Sequence, residues 1–203
     1  MLVDQVPSGQ LAVPAGDGED VVRPVLVLLN GIPASGKSTL ARRWVEGAQS
    51  GLGLALDIDL LRGMLGSWRR TPGEAGLAAR AMALAAVSVH LGNGHDVIVP
   101  QYLPRSDFID QLASSAETSN AAFVECVLLV DHEVASDRFL SRAATAAAQG
   151  RAVDEGELAE PMRSIRLAFE RSLAGRSGLA LLDPEGPDLL EQLSRAVSDA
   201  RQR

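Results

Sequence analysis

The chain alternates between short apolar runs and longer stretches in which apolar positions recur at helical spacing. The apolar runs are Val25–Asn30, Leu54–Ile58, Asp96–Pro100, Ala122–Val130 and Leu179–Leu182. Runs of this length that end in polar residues or Gly/Pro are typical of strands buried on both faces of a parallel sheet. The intervening helices are predicted at roughly Lys37–Gln49, Gly73–Leu91, Arg105–Thr118, Glu133–Gln149, Asp154–Ala174 and Pro187–Arg201. This alternation predicts a doubly wound α/β sandwich.

Two segments lack this periodicity. Residues 1–23 are rich in Gly, Pro, Asp and Glu, and we expect them to form a flexible extension before a single domain of residues 24–203. Residues from about 138 to 161 become rich in Ala, Gly and charged side chains toward their end, with little to bury. They predict a mobile lid, and the alternative is a long helix with a surface loop.

Composition and charge narrow the class of protein. Of the 203 residues, 46% are hydrophobic and 22% are charged, as in soluble globular domains. The apolar runs noted above fall far short of the roughly 20 residues that span a bilayer, and no secretory signal is predicted. The single cysteine, Cys126, excludes an internal disulfide, so a reducing, cytoplasmic setting is expected. The net charge of −7 argues against a nucleic-acid partner, whose phosphates would need a basic surface.

The strongest motif follows the first predicted strand. The segment Gly31-Ile32-Pro33-Ala34-Ser35-Gly36-Lys37-Ser38-Thr39 matches G-x-x-x-x-G-K-[ST] and precedes an amphipathic helix. The glycines let the backbone curl so that successive N–H groups point at phosphate oxygens, and the helix adds its positive end. Lys37 would reach the β/γ-phosphates and the Ser38 hydroxyl would bind Mg²⁺. All but one of the 19 basic residues are arginine, and the exception is Lys37.

Two carboxylates follow the second predicted strand. Asp57 and Asp59 would lie at the same sheet edge as the phosphate loop, where ligands bind in such sheets. If the strand continues through them, they point to the same side because strand residues alternate faces. One would hold the water shell of Mg²⁺ and the other would orient or deprotonate a substrate hydroxyl. The structural alternative is that Asp59 caps a short helix.

These motifs resemble the small P-loop kinases of the adenylate-kinase-like group. The phosphate loop, the Asp57-x-Asp59-x-x-Arg62 pattern and the Arg-rich segment after strand four carry the resemblance, which covers about Val25 to Asp183. It is nearest to kinases related to chloramphenicol phosphotransferase, zeta toxin, gluconate kinase and shikimate kinase. It implies a three-layer α/β/α sandwich with a five-stranded parallel sheet in the order 2-3-1-4-5. It also implies Asp59 at the acceptor hydroxyl, Asp57 beside Mg²⁺ and Arg62 toward the acceptor.

The predicted lid adds three arginines. Its residues Asp137–Arg142 and Gly150–Glu155 resemble the R-x-x-x-R and G-R-x-x-D/E runs of nucleoside monophosphate kinase lids. The resemblance implies that Arg142 and Arg151 neutralise charge on the transferred phosphoryl group and that Arg138 lies beside the nucleotide. A guanidinium fork suits phosphate oxygens. Alternatively, Arg138 and Arg142 form solvated ion pairs along their helix.

The end of the third strand departs from other P-loop proteins. It has Gln101, Tyr102 and Arg105 where a motor ATPase would have an Asp-Glu pair, which argues against that class. We therefore place Gln101 and Arg105 with the acceptor. The alternative for Arg105 is that it only opens the next helix.

Together these features predict an ATP-dependent kinase (GTP is the alternative donor) that phosphorylates a hydroxyl of a sugar, antibiotic, nucleoside or nucleotide-sugar. The nucleotide and Mg²⁺ would contact the phosphate loop: Gly31, Ala34, Ser35, Gly36, Lys37, Ser38 and Thr39. A polynucleotide 5′-hydroxyl kinase and a nucleotide-dependent switch without transfer remain the alternatives. The sequence does not choose the acceptor or the oligomeric state.

Overall fold

The computed structural model describes residues 22–47, 51–148 and 161–203. Within them the strands are β1 (Val25–Asn30), β2 (Leu54–Ala55), β3 (Val97–Gln101), β4 (Ala122–Leu128) and β5 (Ala180–Leu182). The helices are α1 (Lys37–Gly47), α2 (Ile58–Met64), α3 (Pro72–Gly92), α4 (Asp107–Thr118), α5 (His132–Ala148), α6 (Met162–Leu173) and α7 (Leu189–Arg201). The strands form one parallel sheet in the order β2-β3-β1-β4-β5, which confirms the predicted fold class and strand order.

The two faces of β1 build two separate cores. Val25, Val27 and Leu29 face one side, where they join a cluster that includes side chains of α1 and α7. Leu26 and Leu28 face the other side, where α3 and α4 cover them. All six β1 residues are buried, which explains why this strand reads as an unbroken apolar run and not as an alternating one.

Helix α3 packs through a stripe of small residues. Ala79, Ala83 and Val87 are fully buried against the sheet, and their small size lets the helix approach closely. By length and composition alone α3 is also the one helix in the described part of the chain that could cross a membrane. The stripe explains only part of the apolar sequence of α3, since 28% of its apolar window is buried and Leu77 and Val89 are exposed.

The second strand is shorter than predicted, and this corrects the expected geometry of the acidic pair. The strand was predicted over Leu54–Ile58 but ends at Ala55, because Asp57 is the N-cap of α2, a helix that the sequence analysis gave only as an alternative. The predicted end of β4 at Val130 was also too late, since the strand ends at Leu128. Most of the predicted extension at residues 1–23 and the lid residues 149–160 lie outside the described residues.

Candidate functional site

The phosphate loop connects β1 to α1 through two unusual backbone conformations. Ala34 has φ of 60° and Gly36 has φ of 98°, both in the left-handed region. These turns let the loop curl back, and the Ser35 amide donates a hydrogen bond to the Ile32 carbonyl over 3.3 Å. Gly31 is needed for a different reason, because a Cβ atom there would lie 2.7 Å from the Leu128 carbonyl oxygen. The loop therefore fits tightly against the end of β4.

Lys37 is held inside this loop. Its side chain is buried, and its Nζ donates to the Ile32 carbonyl oxygen at 2.7 Å and to Ser35 Oγ at 3.2 Å. The ammonium group thus lies within the curl of the backbone at the start of α1, whose first turn contains no acidic residue. The N-terminus of α1 and the neighbouring ammonium group make this end of the cleft suited to anions.

Asp57 connects α2 to the phosphate loop. Its Oδ1 accepts a hydrogen bond from the Asp59 amide at 3.0 Å, as expected for a helix cap, and its Oδ2 accepts one from Ser38 Oγ at 3.1 Å. The alternative given in the sequence analysis, that Asp59 caps this helix, was wrong by two residues. Two hard oxygen donors meet here, and oxygen is the donor type that Mg²⁺ binds.

The oxygen donors of Ser38 and Asp57 are too few for an all-protein metal cage. Among the residues that the structure describes, no group of three or more His, Cys, Asp or Glu side chains could hold a metal ion. Mg²⁺ typically keeps waters and substrate phosphates in its shell and takes only one or two protein ligands. The donors present therefore fit that ion when it arrives with a nucleotide.

Asp59 lies in the first turn of α2 and faces the cleft. Its carboxylate is 3.4 Å from an Arg62 Nη2 atom, and the Gln101 side chain lies close enough to lower its pKa. Half of the Asp59 side chain is exposed, yet the partial loss of solvent around it is the largest effect and raises its pKa above the ordinary value. The negative charge of Asp57 raises the pKa further, while Arg62 opposes the shift.

A cleft of about 1270 Å³ brings most of the predicted residues together. It is lined by Ala34–Thr39 of the phosphate loop and by Asp57, Asp59, Gln101, Arg138 and Arg142. Arg62 stands beside it, since it contacts Asp59 and stacks on Trp68 with its Cζ atom 5.0 Å from the ring centroid. Arg105 is exposed and does not line the cleft, in keeping with the alternative that it only precedes α4.

The described part of the predicted lid lies on α5. Arg138 Nη1 is 3.5 Å from the Ser35 carbonyl oxygen, which places this guanidinium over the phosphate loop. Arg142, one turn later, lies 5.8 Å from the Phe139 ring centroid and also lines the cleft. Arg151, the third predicted lid arginine, lies outside the described residues.

The cleft also contains residues that the sequence did not single out. Arg42 and Arg43 line it from α1, one turn beyond the phosphate motif, and Leu189 lines it from the start of α7. The sequence could have indicated the two arginines, because they follow the phosphate motif by one turn in a helix that begins at the ligand site. Leu189 carried no such signal, since its position depends on how α7 packs.

Comparison with known proteins shows the family to which this chain belongs. Residues 26–167 match the AAA domain family AAA_33, and the chain therefore belongs to that family of P-loop proteins. No curated protein matches the chain. Its fold is the nucleotide-binding fold of small P-loop kinases, as the sequence resemblance predicted.

Three solved structures illustrate this fold. Kti12 of Chaetomium thermophilum in complex with ADP-AlF3 is 21% identical, with a TM-score of 0.59 over 86% of this chain and 98% of that one. The Mycobacterium tuberculosis APS kinase CysC, in complex with AMPPNP and APS, is 21% identical, with a TM-score of 0.55 over 89% and 99%. The Pnkp1/Rnl/Hen1 RNA repair complex is 18% identical, with a TM-score of 0.61 over 81% of this chain and 50% of that one.

Proposed function

We propose that this protein is a kinase that transfers the γ-phosphate of ATP to a hydroxyl group of a small molecule. One observation carries the proposal: a single cleft contains a phosphate loop and, on its far side, a carboxylate of raised pKa. A site that only binds or hydrolyses nucleotide does not require Asp59 and Gln101 opposite the loop. The APS kinase neighbour, whose structure contains both AMPPNP and APS, supports the same arrangement.

The phosphate side would neutralise charge. Lys37 would exchange its contacts with Ile32 and Ser35 for phosphate oxygens, because those loop atoms only hold the ammonium group in place. Ser38 and Asp57 would hold Mg²⁺, which when bound lowers the charge repulsion that an attacking oxygen meets. Arg138 and Arg142 would close over the phosphates from α5, joined by Arg151 of the lid.

On the acceptor side, Asp59 would act on the attacking hydroxyl. It would accept the hydroxyl proton as the acceptor oxygen bonds to the γ-phosphorus and the bond to the leaving ADP breaks. A raised pKa makes the Asp59 carboxylate a better proton acceptor than an ordinary carboxylate. Arg62 and Gln101 would keep this carboxylate oriented.

The same proposal includes a small acceptor and a cytoplasmic location, the latter because the one cysteine, Cys126, is a free thiol. The net charge of −7 disfavours a long polyanion, and the end of β3 lines the cleft with uncharged residues, Pro100, Gln101 and Tyr102. Sugars, nucleosides, antibiotics and nucleotide-sugars all present hydroxyl groups to such a surface.

One observation favours a second candidate, a 5′-hydroxyl kinase of RNA. Trp68 lies between two guanidinium groups, with Arg62 at 5.0 Å and Arg69 at 4.4 Å from the ring, and Arg62 touches Asp59. An aromatic ring among arginines is a combination that can stack a base and bind a phosphate. The RNA repair complex among the fold neighbours agrees with this candidate.

The test is phosphate transfer from labelled ATP with Mg²⁺ to a panel of sugars, nucleosides, nucleotide-sugars, antibiotics and a 5′-hydroxyl oligonucleotide. For the acceptor that is labelled, Asp59→Asn is expected to reduce kcat by roughly 10²–10⁴-fold while ATP still binds. Below the raised pKa of Asp59 the wild-type rate should fall as the carboxylate becomes protonated.

The matched control is Asp110→Asn, which changes an exposed carboxylate on α4 outside the cleft. Equal rates for the Asp59 variant and the wild type would overturn the role of Asp59. Tight ATP binding with slow hydrolysis, unaffected by Asp59→Asn and without any labelled acceptor, would favour a nucleotide-dependent switch.

A further inference from the structure

A buried polar network connects the phosphate loop to the opposite side of the cleft. It consists of the Asn30, Glu125 and Arg176 side chains, which lie on β1, on β4 and just after α6. Asn30 is fully buried, and the side chains of Glu125 and Arg176 are only 7% and 17% exposed. None of the three was a predicted site residue, and none lines the cleft.

Asn30 is the last residue of β1, and its side chain continues the hydrogen bonding to the chain that follows β3. It lies opposite Gln101 in the sheet. Its side-chain Oδ1 accepts a hydrogen bond from the Leu103 amide at 2.9 Å, and its Nδ2 donates to the Leu103 carbonyl at 3.0 Å. The side-chain amide therefore replaces a strand residue and holds both backbone polar groups of Leu103, two residues beyond the end of β3.

Glu125 and Arg176 complete this attachment. Glu125 Oε1 accepts from Asn30 Nδ2 at 2.8 Å and from Arg176 Nη1 at 2.9 Å. Arg176 Nη2 then donates to the Pro104 carbonyl at 3.2 Å. Two side chains, Asn30 and Arg176, thus bind three backbone atoms of Leu103 and Pro104, and Glu125 joins these two side chains to each other. The segment that they hold, Gln101–Arg105, supplies Gln101 and Tyr102 to the cleft.

Stability alone is a weak reason for this arrangement. A buried ion pair must repay the desolvation of both charges, and a well-packed apolar pair of similar volume is often equally or more stabilising. What the network supplies is a fixed geometry, because each bond restrains both distance and direction. Asn30 immediately precedes Gly31, so this geometry relates the first residue of the phosphate loop to the segment beside Asp59.

We propose that Asn30, Glu125 and Arg176 are positioning residues that set the acceptor side of the cleft relative to the phosphate loop. Their effect on turnover rests on the proposed kinase function, whereas their effect on the Gln101–Arg105 segment does not. The network also reaches the chain that leaves α6, and Tyr102 meets Phe169 of that helix with ring centroids 5.6 Å apart. The acceptor segment is therefore fastened both to the sheet and to α6.

The test separates positioning from stability with the double variant Glu125→Met/Arg176→Met. Both charges are removed together, so no uncompensated buried charge remains, and the melting temperature is expected to stay within a few degrees of the wild type. Amide exchange measured by mass spectrometry on the full chain should become about tenfold faster in peptides covering residues 101–106, the effect of losing about one hydrogen bond. ATP affinity should stay within about twofold, because the phosphate loop is intact.

With a labelled acceptor in hand, the same variant should raise the KM for the acceptor about tenfold and leave the KM for ATP nearly unchanged. Arg176→Lys with Glu125 intact should restore part of the acceptor KM, since an ammonium group can still bind Glu125. A matched control is Asp96→Asn/Arg201→Met, which removes a comparable ion pair of 2.6 Å that is remote from the cleft lining.

Unchanged exchange over residues 101–106 would overturn the proposal whether or not any acceptor is found. A parallel loss of ATP affinity and melting temperature, matched by the Asp96/Arg201 control, would also overturn it, because that is the pattern of a general structural role. Failure to label any acceptor, with faster exchange still observed, would refute the kinase function and leave the positioning of the segment established.

Discussion

At the scale of single residues, Asp57 and Asp59 show how two similar side chains acquire different roles. Asp57 precedes the helix, so its carboxylate is bound by the Asp59 amide and by Ser38 Oγ. Asp59 is already in the first turn, where its carboxylate meets Arg62 and Gln101 and has a raised pKa. The division of labour proposed for the pair therefore arises from the position of the helix start.

Replacing Asp57 with asparagine should separate its capping role from its charge. Asn caps helices about as well as Asp, so the free energy of unfolding is expected to change by less than about 0.5 kcal/mol. The Mg²⁺ concentration for half-maximal activity should rise about 10- to 100-fold, the typical cost of losing a metal-supporting group. Both are measured by chemical denaturation and by Mg²⁺ titration of ATP turnover.

Asp188→Asn is the matched control for Asp57→Asn. Asp188 caps α7 in the same way, accepting a hydrogen bond from the Leu190 amide at 2.9 Å, and does not line the cleft. Its substitution should leave the Mg²⁺ requirement unchanged. An equal Mg²⁺ requirement in the two variants would show that Asp57 only caps its helix.

The residues that the sequence could identify were those whose neighbours are close along the chain. Lys37 and Ser38 belong to one loop, and Asp57 and Asp59 follow the next strand, so the motif alone predicted their shared sheet edge. Arg105 shows the limit, because its place depended on where α4 begins, which is two residues later than predicted. Glu125 shows it more strongly. A single acidic residue in an apolar strand gives no sign that it binds Asn30 and Arg176, which lie 95 and 51 residues away.

At the scale of secondary structure, the phosphate loop depends on close approach as well as on backbone freedom. Gly31→Ala would place a Cβ atom 2.7 Å from the Leu128 carbonyl oxygen, and this oxygen belongs to the last residue of β4 while Gly31 directly follows β1. Such a clash is expected to cost about 1–3 kcal/mol of unfolding free energy. ATP affinity should fall at least about tenfold, measured by calorimetric titration, because the loop cannot shift without losing its curl.

Gly76→Ala provides the opposite outcome in the same protein. Gly76 lies within α3, and a Cβ atom there would meet nothing within 4 Å. Alanine should therefore stabilise the helix by about 0.5–1 kcal/mol without changing ATP affinity. If Gly31→Ala behaved like Gly76→Ala, the contact with Leu128 would not constrain the loop.

The boundaries of a strand could be predicted where the buried run ends with the strand. They could not be predicted where the buried run continues from a strand into a helix. β1 is buried along its whole length, and its predicted and observed limits coincide. β2 lies at the sheet edge, pairs only with β3, and extends over two residues before the Asp57 cap diverts the chain into α2. Its apolar continuation, Leu56 and Ile58, is buried in the core that α3 and α4 cover, and only the Leu56 amide still donates a hydrogen bond to β3, to the Ile98 carbonyl at 2.9 Å. An apolar run records burial and does not distinguish a strand from a helix.

At the scale of the whole molecule, the distribution of charge bears on the acceptor. The net charge is −7, yet Arg62 and Arg69 flank Trp68 beside Asp59, and Arg70 follows directly. Three guanidinium groups would contact at most about three phosphates of a single strand, giving a slope of log K against log salt near −2. Repulsion from the remaining acidic surface acts against this attraction, so we expect a 5′-hydroxyl oligonucleotide to bind weakly.

Binding and phosphorylation of such an oligonucleotide, compared at 50 and 200 mM salt, decide between the two acceptor classes. We expect no measurable phosphorylation of the oligonucleotide at either salt concentration. We also expect Arg69→Ala to leave phosphorylation of a small acceptor within about twofold, because an exposed guanidinium outside the cleft adds little to the binding of a neutral ligand. Efficient labelling at 50 mM that fell steeply with salt would instead assign the Arg62–Trp68–Arg69 strip to nucleic acid. In that event Arg69→Ala should weaken the oligonucleotide specifically, whereas Arg195→Ala, which removes an exposed arginine on α7 paired with Glu191, should not. The acidic surface repels a polyanion and the arginine strip attracts it. The comparison at two salt concentrations measures which of these two effects determines the class of acceptor.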